Sequence, residues 1–128
     1  MFYLLDTHVV LWFLEGNHKL SPLARTSIEN PAYVKFISMA SIWEIAIKLN
    51  LAKLQMEIWL DELKKEILQN GFELLPLRFE HFIGLSKLED IHKDPFDRIL
   101  IAQALCENLR LISSDKNFSQ YKSLDLLW

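Results

Sequence analysis

Four acidic residues sit where a carboxylate has little reason to be, against or inside apolar segments. Asp6 follows Phe2-Tyr3-Leu4-Leu5, and Glu44 lies within Ser41-Ile42-Trp43-Glu44-Ile45-Ala46-Ile47. Asp97 stands at the head of Arg98-Ile99-Leu100-Ile101-Ala102, and Asp115 follows Leu111-Ile112-Ser113-Ser114. Hard divalent cations such as Mg2+ or Mn2+ prefer oxygen ligands of this kind. Gathered without a cation, the four would oppose folding. Two like charges ~4 Å apart repel by ~4 kcal/mol at an effective dielectric of 20. Mg2+ binds through few carboxylates and keeps several waters, which leaves room for a phosphate and an attacking water.

Each acid also has a plain structural role open to it. Asp6 could cap a helix starting at Thr7. Asp94 is a strong N-cap, because Pro95 takes the first helical position. Asp97, three residues on, suits the positive end of that helix. Asp115 fits an ordinary Ser-Ser-Asp turn. Ser41, Glu44 and Lys48 share one helical side, so a thin solvated stripe with a Glu44–Lys48 pair, worth only ~0.2–0.5 kcal/mol, is a second reading of Glu44. Taken singly, these readings stay open; the four together say more than any one.

The elements that must position these residues alternate. Phe2 to Leu5 reads as a short buried strand and Thr7 to Glu15 as a buried helix stopped by Gly16. Ser21-Pro22 opens a helix to about Glu29. Tyr33 to Ile37 reads as a strand, with Ser38 capping a helix from Met39 to about Leu49. Met56, Leu60, Leu63 and Ile67 fall on one helical stripe ending at Asn70-Gly71. Phe72 to Leu77 reads as a strand, Phe79 to Leu88 as a helix, and Asp94-Pro95 starts a helix to about Asn108. A strand at Arg110 to Ser113, a short helix at about Lys116 to Tyr121 and a last strand at Leu124 to Leu127 complete the chain. The expected fold is α/β: a mostly parallel sheet of about five strands with helices on both faces. In such sheets chemistry collects beyond the carboxyl ends of the strands, where Asp6 and Asp115 are expected.

The 128 residues are read as one domain over 1–128, and the 51 % apolar content suffices for a core without disulfides. A single cysteine, Cys106, fits a reducing cytoplasm. Met1 to Leu14 carries Asp6 and His8 and no basic leader, which argues against a signal peptide. The apolar run Val9 to Leu14 is far short of the ~20 residues of a membrane helix. A net charge of -3 is unusual for a phosphate binder. Without the four carboxylates the remainder is close to neutral, and a bound cation would supply local positive charge. None of His8, His18, His81 and His92 forms a zinc-like pair. His8 and His92 lie near the acids but are assigned no catalytic role; His18 and His81 read as surface or packing residues. Arg98 is placed to pair with an acid.

With these residues in hand, the chain resembles a known family. Leu4-Leu5-Asp6-Thr7-His8, Ser41-x-Trp43-Glu44-Ile45, His92-Lys93-Asp94-Pro95-Phe96-Asp97-Arg98 with its apolar helix, and Leu111-Ile112-Ser113-Ser114-Asp115 follow the order seen in PIN domains. The closest likeness is to VapC toxins of type II toxin–antitoxin pairs, from Phe2 to about Tyr121. The resemblance implies a PIN-like fold and a Mg2+-dependent (or Mn2+-dependent) endoribonuclease. It puts the family's four acids on Asp6, Glu44, Asp97 and Asp115, as metal ligands and catalytic residues. Thr7 and Ser113 fall on supporting polar positions, and Asp94 on a capping position with an outer part in the metal site. The implied products carry 5'-phosphate and 3'-hydroxyl ends. Implied partners are RNA, a small VapB-type antitoxin that covers the acidic cleft, and a second copy in a homodimer, within a larger toxin–antitoxin complex. Trp12, Trp43 and Trp59 are interface candidates, with core packing the favoured reading for Trp12 and Trp43.

Two rival functions bear weighing. A receiver-like phosphoacceptor domain has a similar length and acids around Mg2+, but needs an acid at the end of its middle strand, and residues 50–60 offer none suited. A catalytically inactive PIN-like binding module would have lost acids that this chain retains.

Overall fold

The computed structural model describes residues 1–128. Five strands form one sheet: β1 (Phe2–Leu5), β2 (Val34–Ser38), β3 (Glu73–Leu75), β4 (Arg110–Ile112) and β5 (Leu126–Leu127). Six helices connect them: α1 (Thr7–Glu15), α2 (Pro22–Glu29), α3 (Met39–Asn50), α4 (Leu60–Gln69), α5 (Phe79–Ser86) and α6 (Pro95–Cys106). A 3-10 turn covers Lys116–Gln120.

The strand order is β3-β2-β1-β4-β5, and every neighbouring pair is parallel. Leu4 faces Phe36 on one side and Leu111 on the other. The order differs from the 2-1-3-4-5 of receiver-like sheets, which removes that rival. Because both faces must be covered, strand residues are apolar on both sides. Tyr3 and Leu5 pack with Val9, Val10, Ile45 and Ile67 on one face. Leu4 and Leu111 pack with Leu100, Ile101 and Phe118 on the other. Ala40, Ile99 and Ala102 close the seam between α3 and α6.

Local sequence explains where the helices begin and end. Ser21 Oγ accepts from Ala24 N–H at 3.1 Å, and Pro22 takes the first position of α2. Ser38 Oγ accepts from Ala40 N–H at 3.0 Å. Asp94 Oδ1 accepts from the N–H groups of Phe96 and Asp97 at 2.8 and 3.1 Å. Gly16 ends α1 at φ +66°, a conformation that costs glycine little.

Several boundaries depart from expectation. Met56 lies outside α4, which begins only at Leu60; Met56 still packs against the core from the connecting segment, so its stripe reflects burial rather than helix. The third strand is Glu73–Leu75 alone, cut short by Pro76, which cannot donate to a ladder. The last strand is Leu126–Leu127, reached only after Leu124 has packed beneath the sheet.

Candidate active site

A parallel sheet sets all its strand carboxyl ends along one edge, and the elements at that edge carry the four acids. Asp6 directly follows β1, and its N–H extends the ladder to Ile112 O at 3.0 Å. Asp115 follows β4 by three residues. α3 leaves β2 at this edge and carries Glu44 in its second turn. α6 runs back toward the start of β4, so its first turn, with Asp97, lies at the same edge. The chain leaves β1 toward β2 on one side and joins β4 on the other, so the crevice between β1 and β4 is the topological switch point. Three helix N-termini, those of α1, α3 and α6, also face this edge, and their positive ends favour anionic groups.

The contacts bear out the convergence. Ser113 Oγ donates to Asp6 Oδ2 at 2.8 Å, joining residues 107 apart in sequence. Thr7 Oγ1 donates to Ser41 Oγ at 2.9 Å, tying α1 to α3. Asp115 N–H donates to Ser113 Oγ at 3.1 Å. His92 Nε2 lies 3.2 Å from both Asp97 Oδ2 and Asp115 Oδ2. Lys48 Nζ donates to Glu44 Oε2 at 2.7 Å.

Burial makes these charges expensive. Asp6 and Glu44 are 4 % and 3 % exposed, and Asp6 Oδ1 and Glu44 Oε1 are buried without a hydrogen-bond partner. Burial drives the Asp97 carboxyl up to about 8, helped by the charges of Asp6, Asp94, Glu44 and Asp115. Burial also raises Asp6, while the Ser113 hydroxyl, the His8 charge and the Thr7 N–H oppose the shift. The Glu44 hydrogen bond holds Lys48 above its ordinary value. A pocket with orphaned carboxylate oxygens and an acid that keeps its proton to about pH 8 fits a divalent cation with oxygen ligands.

Each residue singled out in the sequence has a definite position. Asp6 precedes α1 but makes no side-chain cap, so that alternative fails. Asp94 does cap α6. Asp115 caps the 3-10 turn through Oδ1, which accepts from Asn117 N–H at 2.9 Å, while Oδ2 faces His92. Glu44 pairs with Lys48, yet the solvated stripe is wrong: the apolar surroundings of α3 bury the carboxylate. Trp43 is 60 % exposed, contrary to a core role, because its neighbours Glu44 and Ile45 take the inward positions. Trp59 is exposed too, and Trp12 packs at the edge of the core. Arg98 pairs with an acid, though with Asp90 at 4.0 Å rather than with Asp97, and its guanidinium also donates to the carbonyls of Leu88, Glu89 and His92. His81 is fully buried, as a packing residue can be. Ser41 and His92 were not assigned to the site from the sequence. Ser41 carried a signal, since it stands one turn before Glu44 on the same side of α3.

Comparison with known proteins agrees with this fold. A family model described as PIN domain matches residues 3–124. No curated protein matches significantly in sequence. Among solved structures, VapBC2 from Rickettsia felis bound to a DNA fragment from their promoter is similar at TM-score 0.73 and 16 % identity, over 99 % of this chain and 98 % of that one. VapBC-1 from nontypeable Haemophilus influenzae is similar at 0.71 and 18 %, over 99 % and 97 %. VapBC-5 from Mycobacterium tuberculosis, a member of the VapBC family of toxin–antitoxin systems, is similar at 0.60 and 15 %, over 98 % and 97 %. PIN domains are generally nucleases, and those nucleases generally use divalent metals. The family match runs from β1 to the segment before β5 and spans all four acidic segments, so this chain belongs to the PIN domain family.

Proposed function

We propose that the chain, as a single PIN domain over residues 1–128, is a VapC-type toxin: a Mg2+-dependent endoribonuclease held inactive in the cytoplasm by a VapB-type antitoxin. One observation carries the reading: Asp6 and Glu44 keep buried carboxylate oxygens without partners at the switch-point edge, beside an Asp97 that resists ionisation to about pH 8. A structural cluster of acids would have been satisfied by donors or left in water.

Asp6, Asp97 and Asp115 would hold the cation, with Glu44 completing the set. When bound, the cation neutralises these charges, stabilises charge on the phosphate and makes water a stronger nucleophile at neutral pH. The chain's own residues prepare that site. Ser113 fixes Asp6 by occupying Oδ2 and leaves Oδ1 turned inward. Lys48 occupies Glu44 Oε2 and leaves Oε1 free to orient a water or the cation. Thr7 and Ser41 lock α1 against α3, which keeps Asp6 and Glu44 in register. Asp94 caps α6 and so sets the position of Asp97. Each step needs only binding, orientation and charge; no side-chain nucleophile takes part.

The antitoxin reading is supported by the similar folds of toxin–antitoxin structures. No helix of the chain is long and apolar enough to cross a membrane. A homodimer that joins the antitoxin in a larger complex is part of the same proposal.

The test is cleavage of total RNA by the wild type and by Asp97→Asn, with the cut ends mapped. Mg2+-dependent cuts leaving 5'-phosphate ends in the wild type, and their loss in the variant, are expected. Cleavage that survives EDTA, or equal cleavage by the variant, would contradict the mechanism.

A further inference from the structure

His92 lies in the segment between α5 and α6, and its ring is held on several sides. Its backbone N–H donates to Tyr121 Oη at 2.8 Å, and Tyr121 Oη donates in turn to Glu89 O at 3.1 Å. The imidazole packs against Phe118 with ring centres 5.3 Å apart. Nδ1 accepts from Asp94 N–H at 3.3 Å. In a neutral imidazole an Nδ1 that accepts leaves the proton on Nε2. That Nε2–H donates to Asp115 Oδ2 at 3.2 Å, with Asp97 Oδ2 also 3.2 Å away.

This tautomer decides what His92 can do. A protonated Nε2 has no lone pair for a metal, so His92 is no ligand despite lying among carboxylates. It is instead a donor between two acids that repel each other. Asp97 is anchored in the first turn of α6, but Asp115 is more exposed and begins a short 3-10 turn. Asp115 Oδ1 turns to Asn117 N–H, at the 3-10 turn, and Oδ2 is the oxygen that faces His92. Nothing but His92 draws that oxygen toward Asp97. A carboxylate oxygen has more than one lone pair, so accepting from His92 leaves it able to bind a cation.

We propose that His92 is the positioning residue of the cation site, its Nε2–H holding Asp115 Oδ2 beside Asp97 Oδ2 so that both oxygens meet one divalent ion. The inference rests on the reading of this edge as a cation site. Donors to ligand carboxylates are worth roughly 10–100-fold in metal affinity.

The experiment measures Mn2+ binding to the free protein by electron paramagnetic resonance of unbound Mn2+, without RNA, for wild type, H92L, H92Q and D97N. Unfolding midpoints of the metal-free proteins are recorded alongside. H92L is expected to bind Mn2+ roughly 10–100-fold more weakly than wild type. H92Q, whose amide N–H can stand near the position of Nε2, is expected to recover most of that loss. D97N is expected to bind weakest. Wild-type affinity in H92L would overturn the proposal, as would H92Q losing as much as H92L. A fall in unfolding midpoint with unchanged Mn2+ affinity would show a purely structural His92 and overturn it too. If the wild type itself binds no Mn2+, the cation-site reading fails, whatever the His92 variants do.

Discussion

Two buried polar regions share helix α6 and are built on opposite rules. In the last turn of the helix, Gln103 accepts from Ser38 Oγ and donates through Nε2 to Pro76 O at 3.3 Å. His81 beside it accepts from Arg78 N–H at 3.0 Å and meets Glu107 Oε1 through Nε2 at 2.9 Å. His81, Cys106 and Glu107 offer metal-type ligand atoms close together. Yet the Arg78 N–H fixes the proton of His81 on Nε2, which makes it a donor to Glu107 and no ligand. The buried side-chain polar atoms of Ser38, His81 and Gln103 all have partners, and their contacts tie α5, α6 and β2 together. Two turns earlier, at the head of the same helix, Asp97 faces four other carboxylates, and nearby oxygens of Asp6 and Glu44 lack partners. Buried polar groups that satisfy one another stabilise; those left unsatisfied wait for something from outside.

The sharpest way to break this contrast is to remove one member from each region. Asp97→Asn is expected to lower metal-dependent cleavage by more than about 100-fold, since a ligand counts for more than its supporting donors. The metal-free variant should be at least as stable as wild type, because folding no longer has to keep protonated a carboxyl that the unfolded chain ionises. Denaturant unfolding and RNA cleavage measured together check both halves. His81→Leu should do the opposite. It strands Arg78 N–H, removes the Glu107 contact and changes the packing at a fully buried position, and is expected to cost about 2–3 kcal/mol of stability. Cleavage per folded molecule should be unchanged; a matching loss of cleavage would erase the distinction between the regions.

A pH series sharpens it further. Folded Asp97 keeps its proton to about 8, whereas an unfolded chain releases it near the ordinary 3.8. Between those values the folded state holds more protons, so rising pH favours unfolding. Asp6 is shifted in the same direction and adds to the trend. The unfolding midpoint of the metal-free protein should therefore decline from about pH 4 to about pH 8. Asp97→Asn should flatten the decline, and a divalent cation should oppose it at the alkaline end. A metal-free midpoint that climbs across this window would show that the acids are not strained.

The smallest effect belongs to a charge pair outside both regions. Lys93 Nζ and Asp90 Oδ2 are 3.1 Å apart and each side chain is 78 % exposed. Lys93→Ala should change stability by less than about 0.5 kcal/mol, read from the denaturant midpoint. A larger loss would mean that the loop carrying His92 depends on surface charge.

The order of elements was legible because local rules dominate it. Apolar strands, Ser and Asp caps, Pro at the first position of a helix and Gly after the last all act within a few residues. Met56 shows the limit: a stripe of helical spacing marks a buried side, and a segment can present that side without being helical. The four acids were legible as a set, through their apolar settings and the resemblance of their segments to PIN domains.

The sequence by itself marked four acids as a set and the edge of a parallel sheet they would reach. Only the tertiary structure decided that Glu44 is buried rather than solvated, that Trp43 is exposed, that Arg98 serves carbonyls, and that His92 donates between Asp97 and Asp115. The reason is distance along the chain. Contacts such as Ser113 with Asp6, or His92 with Asp115, join residues 107 and 23 apart, and no local periodicity encodes which side chain meets which across such a gap. The burial that raises Asp97 likewise comes from several separate elements closing over one carboxyl group.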